Sequence, residues 1–187
     1  QQEIVEILDS SSRNLQKLIE QLLDYNRKQA DGPVAREAVD LVDLVENVVA
    51  AHSLPARAKL MHTELTLQAR RCLAEPALLI SVMDNLYSNA VQYGAESGNI
   101  RVHSYRHGEQ VRIDVANSGE PIPAAEKNMI FEPFYQGSHQ RKGAVKGSGL
   151  GLSIARDCVR QMQGELSLVD APAGQVCFRI TLPSAPE

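Results

Sequence analysis

Five stretches of this chain alternate apolar and polar side chains one residue at a time. In the first, Met61, Thr63, Leu65 and Leu67 share one side, and His62, Glu64, Thr66 and Gln68 share the other. Ile100 and Val102 mark the second, Val111, Ile113 and Val115 the third, and Leu166 and Leu168 the fourth. Val176, Phe178, Ile180 and Leu182 mark the fifth. A side-chain period of two means a strand with one buried face. Five such strands need a common cover, and the intervening sequence supplies it. Leu41, Leu44, Val45, Val48 and Ala51 fall on one face of a helix expected over residues 41–57. Leu79, Val82, Met83, Leu86 and Ala90 give a second helix its stripe, with Pro76 in the first turn, where a missing N–H costs nothing. Leu152, Ala155, Val159 and Met162 line a third, expected to begin near Ser148 and to end at Gly164. The expected fold is therefore an α/β (α+β) two-layer sandwich: a mixed, mostly antiparallel five-stranded sheet covered by three helices. Aromatic residues are only 4% of the chain and Trp is absent, so Leu, Val, Ile and Ala have to build the core.

Residues 1–29 contain neither Gly nor Pro, and Ile4, Leu8, Ser11, Leu15, Leu18, Leu22 and Tyr25 recur at spacings of four and three. This is a heptad seam on a long helix that needs a partner helix to bury it. Asp31, Gly32 and Pro33 stop it. The expected division is a long helix over 1–30, a linker and first strand region over 31–40, and the main domain over 41–187. The chain opens QQEIVEILDS, as a cut fragment would, with no signal peptide. No apolar run approaches the roughly 18 residues of a membrane span. Nineteen basic against twenty-three acidic residues give a net charge of -4, which argues against a general nucleic-acid binder. Cys72, Cys158 and Cys177 are odd in number and lack CxxC spacing, which disfavours a disulfide framework or zinc knuckle and suits a reducing compartment.

Four constellations could carry chemistry. Asn85, Asn89 and Tyr93 lie four apart and share a helix face. Asn carbonyl oxygens are neutral hard donors that suit Mg²⁺ beside phosphates, although a solvated helix face would read the same. Gly147-Ser-Gly-Leu-Gly151-Leu opens the third covering helix, where glycines and free N–H groups favour an anion; a flexible linker is the alternative. No Gly-Lys-Ser/Thr follows, so this is not a Walker loop. Pro133 to Arg156 contains no Asp or Glu but carries Arg141, Lys142, Lys146 and Arg156, which would attract a polyanion. Asp114-Val-Ala-Asn117-Ser-Gly119-Glu-Pro-Ile122 closes a strand with a polar amide and a Gly turn beside apolar side chains, which fits an adenine pocket or an ordinary strand exit.

Together these residues resemble the catalytic ATP-binding domain of sensor histidine kinases, over the whole chain. NLYSNAVQY (85–93) is similar to the family's N box, Asn117-Ser-Gly119 to its first glycine box, and Phe131-Glu-Pro-Phe134 to its F box. Gly147-Ser-Gly-Leu-Gly-Leu is similar to its second glycine box. The resemblance implies a nucleotide between the N-box helix and a lid. It implies Mg²⁺ on Asn89 and Asn85, and adenine bonded by Asn117 in a pocket shaped by Gly119, Ile122 and Tyr93. Phe131 belongs to the same nucleotide-binding set. Phosphates would meet Arg141, Lys142 or Lys146 and the backbone of Gly147, Ser148, Gly149, Leu150, Gly151 and Leu152. Residues 1–30 would be the second helix of the dimerisation hairpin. ATP, a second protomer and a response regulator would be the partners, with no nucleic acid and no membrane contact by this piece. The setting implied is the cytoplasmic domain of a bacterial inner-membrane protein.

The sequence departs from the family at three places. Asn117 stands where the family usually has Asp, Pro121 where a second glycine is common, and Gln92 where Lys is frequent. A neutral amide still accepts from an amino group, at a loss of about 1 kcal/mol. In related chaperone and gyrase ATPases a Glu resembling Asn85 in position activates water; an amide cannot be a general base, which favours transfer over hydrolysis. His52, His62, His103, His107 and His139 are followed by Ser, Thr, Ser, Gly and Gln, and none lies on the N-terminal helix. The phosphoacceptor His is therefore expected outside this chain. A degenerate nucleotide-binding module and an anti-sigma-type serine kinase are the competing readings.

Overall fold

The computed structural model describes residues 34–137 and 149–185; the heptad segment expected over 1–30 lies outside the described residues. The described chain runs β1 (Glu37–Asp40), α1 (Leu41–Ala51), α2 (Ser53–Ala58), β2 (His62–Leu67), β3 (Arg71–Ala74) and α3 (Pro76–Tyr93). It continues through β4 (Asn99–His107), β5 (Gln110–Ser118), two short 3₁₀ turns (Ala124–Glu126 and Met129–Phe131), α4 (Gly151–Gln161), β6 (Glu165–Val169) and β7 (Gln175–Pro183).

The five alternating segments form one sheet in the order β2-β4-β5-β7-β6. β2 runs parallel to β4, and the other neighbours are antiparallel. The crossover from β2 to β4 contains α3, as a parallel pair requires. Ile100 and Val102, Val111, Ile113 and Val115, and Ile180 and Leu182 point to one face and are buried. Against that face lie Leu41, Leu44, Val45 and Val48 of α1, Leu79, Val82, Met83 and Leu86 of α3, and Ala155 and Val159 of α4. Each large side chain so buried contributes about 1.5–3 kcal/mol. The expected two-layer sandwich is the observed one.

Four local features differ from the sequence reading. The helix expected over 41–57 is two helices, because a proline inside a helix removes an N–H and clashes with the preceding turn. The chain breaks at His52, which leaves Pro55 in the first turns of α2. β1 pairs antiparallel with β3, from Glu37 opposite Ala74 to Asp40 opposite Arg71. The strand within 31–40 was expected; its four-residue partner, with one alternation only, was not. α4 begins at Gly151 rather than near Ser148. It closes by a paired cap in which Gly164 N–H bonds the Val159 carbonyl and Gln163 N–H the Arg160 carbonyl, both at 2.9 Å. The left-handed residue of that cap is Gln163 (φ 62°), not Gly164. Gly164 is needed for closeness, since a Cβ there would lie 2.4 Å from the Thr181 carbonyl oxygen.

Candidate functional site

Helix α3 presents the central face. Its start is fixed by Glu75, whose side chain accepts from Leu78 N–H at 2.6 Å, and by Pro76 at the first position. Asn85 is buried, and its Nδ2 donates to the Ser81 carbonyl at 2.9 Å. That bond turns Oδ1 towards α4: a Cβ placed on Gly151 would sit 3.0 Å from Asn85 Oδ1. One turn further on, Asn89 is half-buried, and Tyr93 is half exposed in the last turn. Burial raises the Tyr93 phenol above its ordinary value, so it stays a neutral donor near pH 7.

The exit of β5 is joined to the end of this helix. Ala95 N–H donates to the Ser118 carbonyl at 2.8 Å, and Gly119 N–H to the Gly174 carbonyl at 2.9 Å. A Cβ on Gly119 would meet Asn117 Nδ2 at 3.2 Å and the Tyr93 carbonyl oxygen at 3.3 Å. Asn117 is buried and donates from Nδ2 to the Ser118 carbonyl at 3.1 Å, which leaves Oδ1 as its accepting atom. Ile122 is partly buried against the core. Gly151 thus meets Asn85 midway along α3, while Asn117 and Gly119 gather at Tyr93 at its end, about 12 Å further along the helix axis; Asn89 lies between the two groups along α3.

The start of α4 has no side-chain cap; Ser153 Oγ donates to the Leu150 carbonyl at 2.9 Å instead of accepting from a first-turn N–H. Its first amides are therefore oriented outward at the positive end of the helix dipole. Leu150 is buried and Leu152 partly so, so that they anchor this start to the core. Gly149 has φ +70°, and a Cβ there would lie 2.8 Å from the backbone of Phe134. Phe134 N–H donates to the Gly149 carbonyl at 2.9 Å and closes the base of the segment between them. Phe131 stands apart from the asparagines: its ring meets Phe178 edge-on at 6.2 Å and lies 5.2 Å from the Arg156 guanidinium. Arg141, Lys142, Lys146, Gly147 and Ser148 lie outside the described residues.

Among the described residues no group of three or more His, Cys, Asp or Glu could hold a metal ion. The donors that are brought together are amide oxygens. They fit a hard cation that brings phosphate and water ligands with it, not one needing a carboxylate cage.

Two pairings that brace the site were not expected from sequence. His52 Nε2 and Asp84 Oδ1 are 2.7 Å apart, linking the α1–α2 break to the residue before Asn85. Lys59 Nζ donates to the carbonyls of Val91, Gln92 and Gly94 at the end of α3. Both pairings span more than thirty residues, so no local pattern announces them.

Known proteins share this arrangement. The chain is 73% identical over 185 residues, 99% of its length, to the sensor histidine kinase GlrK of Escherichia coli (strain K12). It is 72% identical over the same span to the sensor histidine kinase QseE of Escherichia coli O157:H7. It spans 39% of the length of each of these relatives. The catalytic domain of histidine kinase ThkA superposes with a TM-score of 0.71 at 27% identity, covering 81% of this chain and 97% of that one. No described helix is long and apolar enough to cross a membrane. Residues 74–186, which include every site residue placed above, match the family model of histidine kinase-, DNA gyrase B- and HSP90-like ATPases, and the chain belongs to that family.

Proposed function

We propose that this chain is the ATP-binding catalytic part of a two-component sensor histidine kinase. It transfers the ATP γ-phosphoryl group to a His on a dimerisation helix outside the chain, for relay to an Asp of a response regulator. The observation that carries this reading is the approach of Asn85 Oδ1 to Gly151, which sets the amide-bearing face of α3 against the uncapped start of α4. A nucleotide needs both: neutral oxygens for its cation and free N–H groups for its phosphates.

In this reading Asn89 and Asn85 hold Mg²⁺, which when bound neutralises phosphate charge. Asn117 Oδ1 accepts from the adenine amino group, beside Gly119, Ile122 and Tyr93. Gly149, Leu150, Gly151 and Leu152 offer backbone to the phosphates, with Gly147, Ser148, Arg141, Lys142 and Lys146 completing the enclosure. Phe131 acts through packing, holding the 3₁₀ turn against Phe178 and Arg156. Asn85 cannot take a proton from water, so a positioned imidazole outcompetes hydrolysis as the nucleophile. Residues 1–30 supply the second helix of the dimerisation hairpin, 31–40 the linker and first strand, and 41–187 the catalytic domain. A second protomer completes the helical bundle through that hairpin, and the whole sits on the cytoplasmic side of a bacterial inner membrane.

Calorimetric titration with ADP and Mg²⁺ tests the site. Binding is expected, and Asn89→Ala should weaken it at least tenfold with an unchanged circular dichroism spectrum. Equal affinity in the variant refutes the site. No binding by the unmodified chain favours the degenerate module that Asn117 and Pro121 suggest. With labelled ATP the chain alone should stay unlabelled; stoichiometric phosphohistidine would place the acceptor inside it.

A further inference from the structure

We propose that His52 is a positioning residue for the metal side of the nucleotide site: by fixing the roll of α3 about its own axis, it sets where Asn85 and Asn89 aim. The proposal rests on the nucleotide reading above and adds to it a residue that touches neither nucleotide nor metal.

The buried stripe of α3 runs through Leu79, Val82, Met83, Leu86 and Ala90. At about 100° per residue, Asn85 and Asn89 fall on one flank of that stripe, and Asp84 and Tyr87 on the other. The first flank is the one that meets Gly151 of α4. The second is gripped by His52. Its Nε2 lies 2.7 Å from Asp84 Oδ1, and a carboxylate oxygen only accepts, so the ring nitrogen donates. The same ring packs against Tyr87, with centroids 5.8 Å apart. Tyr87 is buried, and its hydroxyl is 2.7 Å from Thr63 Oγ1 on β2. Four side chains from β2, α3 and the α1–α2 break thus make one contact chain along that flank.

The grip has a stiff mount. His52 N–H donates to the carbonyls of Val48 at 3.3 Å and Val49 at 3.2 Å, at the end of α1. Its own carbonyl accepts from Ala56 N–H of α2 at 3.2 Å. Helix α1 in turn buries Leu41, Leu44, Val45 and Val48. The His52 side chain is 16% exposed, so water competes little for its bond to Asp84.

Apolar packing holds α3 on the sheet but is non-directional, so it limits roll less sharply than a short hydrogen bond does. An amide oxygen stands roughly 5–6 Å from the helix axis, so a roll of roughly 10° carries it about 1 Å. Groups that bind a ligand have to be held within roughly 0.5 Å. Such a roll leaves the core buried and spoils the aim of the two amides. Asn117 belongs to β5 and does not turn with α3. The loss should therefore fall on the part of nucleotide affinity that depends on the cation.

The test is calorimetric titration with ADP, with and without Mg²⁺, of the chain and of His52→Leu and His52→Gln. Leu keeps bulk without the donor, and Gln carries an N–H at similar reach. His52→Leu should bind Mg-ADP at least tenfold more weakly and metal-free ADP within twofold of the original. His52→Gln should recover at least half of the loss on a logarithmic scale. In NMR spectra of the ligand-free chain, the Asn85 side-chain amide and the Gly151 backbone amide should shift in His52→Leu and return in His52→Gln. Were His52→Leu not to fold, Asp84→Ala breaks the same bond from α3 and should show the same metal-specific loss. An equal drop with and without Mg²⁺ would reduce His52 to general stability and overturn the proposal. Unchanged Mg-ADP affinity, or a Gln variant no better than Leu, would do the same. If the unmodified chain bound ADP under neither condition, the nucleotide reading would fall, and the ligand-free spectra would decide the positioning by themselves.

Discussion

Lys59 holds the end of the helix on which the site is built. Its ammonium donates to the carbonyls of Val91 at 2.7 Å, Gln92 at 2.9 Å and Gly94 at 2.7 Å. Helices commonly finish with a left-handed residue that lets backbone N–H groups satisfy the last carbonyls. Here Gly94 is extended instead (φ -62°, ψ 152°), and the lysine does that work. Lys59→Met keeps the aliphatic stem and removes the charge with all three donors. Hydrogen bonds to a charged group are worth about 1.5–3 kcal/mol net. A cation at a helix C-terminus contributes about 0.3–2 kcal/mol. The two figures describe the same electrostatics and do not add. Water can recover part of the loss, because Gln92 is exposed and Tyr93 half exposed.

The expected cost is therefore about 2 kcal/mol, or about 4–8 °C in Tm at about 2–4 °C per kcal/mol for a domain of this size. Urea unfolding should show a lower midpoint with an unchanged slope. Lys59→Arg keeps the charge, but a planar fork cannot converge on three carbonyls, so it should recover about half of the loss. The affinity for Mg-ADP should fall as well, since the Tyr93 carbonyl lies in the turn that Lys59 gathers and packs against Gly119. A Lys59→Met protein whose stability stays inside the roughly 0.5 kcal/mol scatter of surface substitutions would refute this account of the helix end.

The cap of α4 makes a paired prediction. Gly164→Ala drives a Cβ to 2.4 Å from the Thr181 carbonyl oxygen and 2.7 Å from Leu182 Cδ2, and should cost about 2–3 kcal/mol in denaturant unfolding. Gln163→Gly, at φ 62°, should gain about 0.5–1 kcal/mol; a loss there would contradict the strain argument. The buried thiols set an alkaline limit. Burial pushes Cys72 up to about 12, and burial followed by the nearby Asp114 pushes Cys177 up to about 11. An unfolded chain loses these protons near pH 8.5–9 by the ordinary thiol range (~8.5), while the folded chain keeps them. Stability is thus expected to fall as pH rises from about 9 towards 12. Urea midpoints at about pH 8 and 10 should drop more for the unmodified chain than for Cys72→Ala with Cys177→Ala, and an equal drop would refute it.

The fold was legible where the pattern is local and repeats. Val111, Ile113 and Val115 alternate in sequence and are buried together in β5; Leu79, Val82, Met83 and Leu86 recur at helical spacing and line α3. The β1–β3 ribbon escaped because four residues such as Arg71–Ala74 hold one alternation, and its two buried members are the small Cys72 and Ala74. The break at His52 was legible in principle, since Pro55 cannot sit inside a helix without loss. The site was legible as types and spacings, Asn85 and Asn89 four apart and glycines at a helix start. What joined them was not. Lys59 to Gly94 and His52 to Asp84 are pairings across the fold, and each residue in them reads as an ordinary surface group until the tertiary contact exists.

The glycines of the second box have a structural role beside the one expected of them from sequence. Read from sequence, they keep the backbone bare so that phosphate can approach. In the structure two of them are required before any ligand arrives. Gly149 has a left-handed φ and presses on Phe134, while Gly151 faces Asn85 Oδ1 at a distance that a side chain would close. The same absence of a Cβ that would admit an anion in the proposed function also lets the start of α4 rest against the amide face of α3. Position 151 is therefore constrained from both sides, and Asn85 and Gly151 behave as one device. An alanine at 151 would push Asn85 Oδ1 out of line even where the incoming phosphate had room to spare.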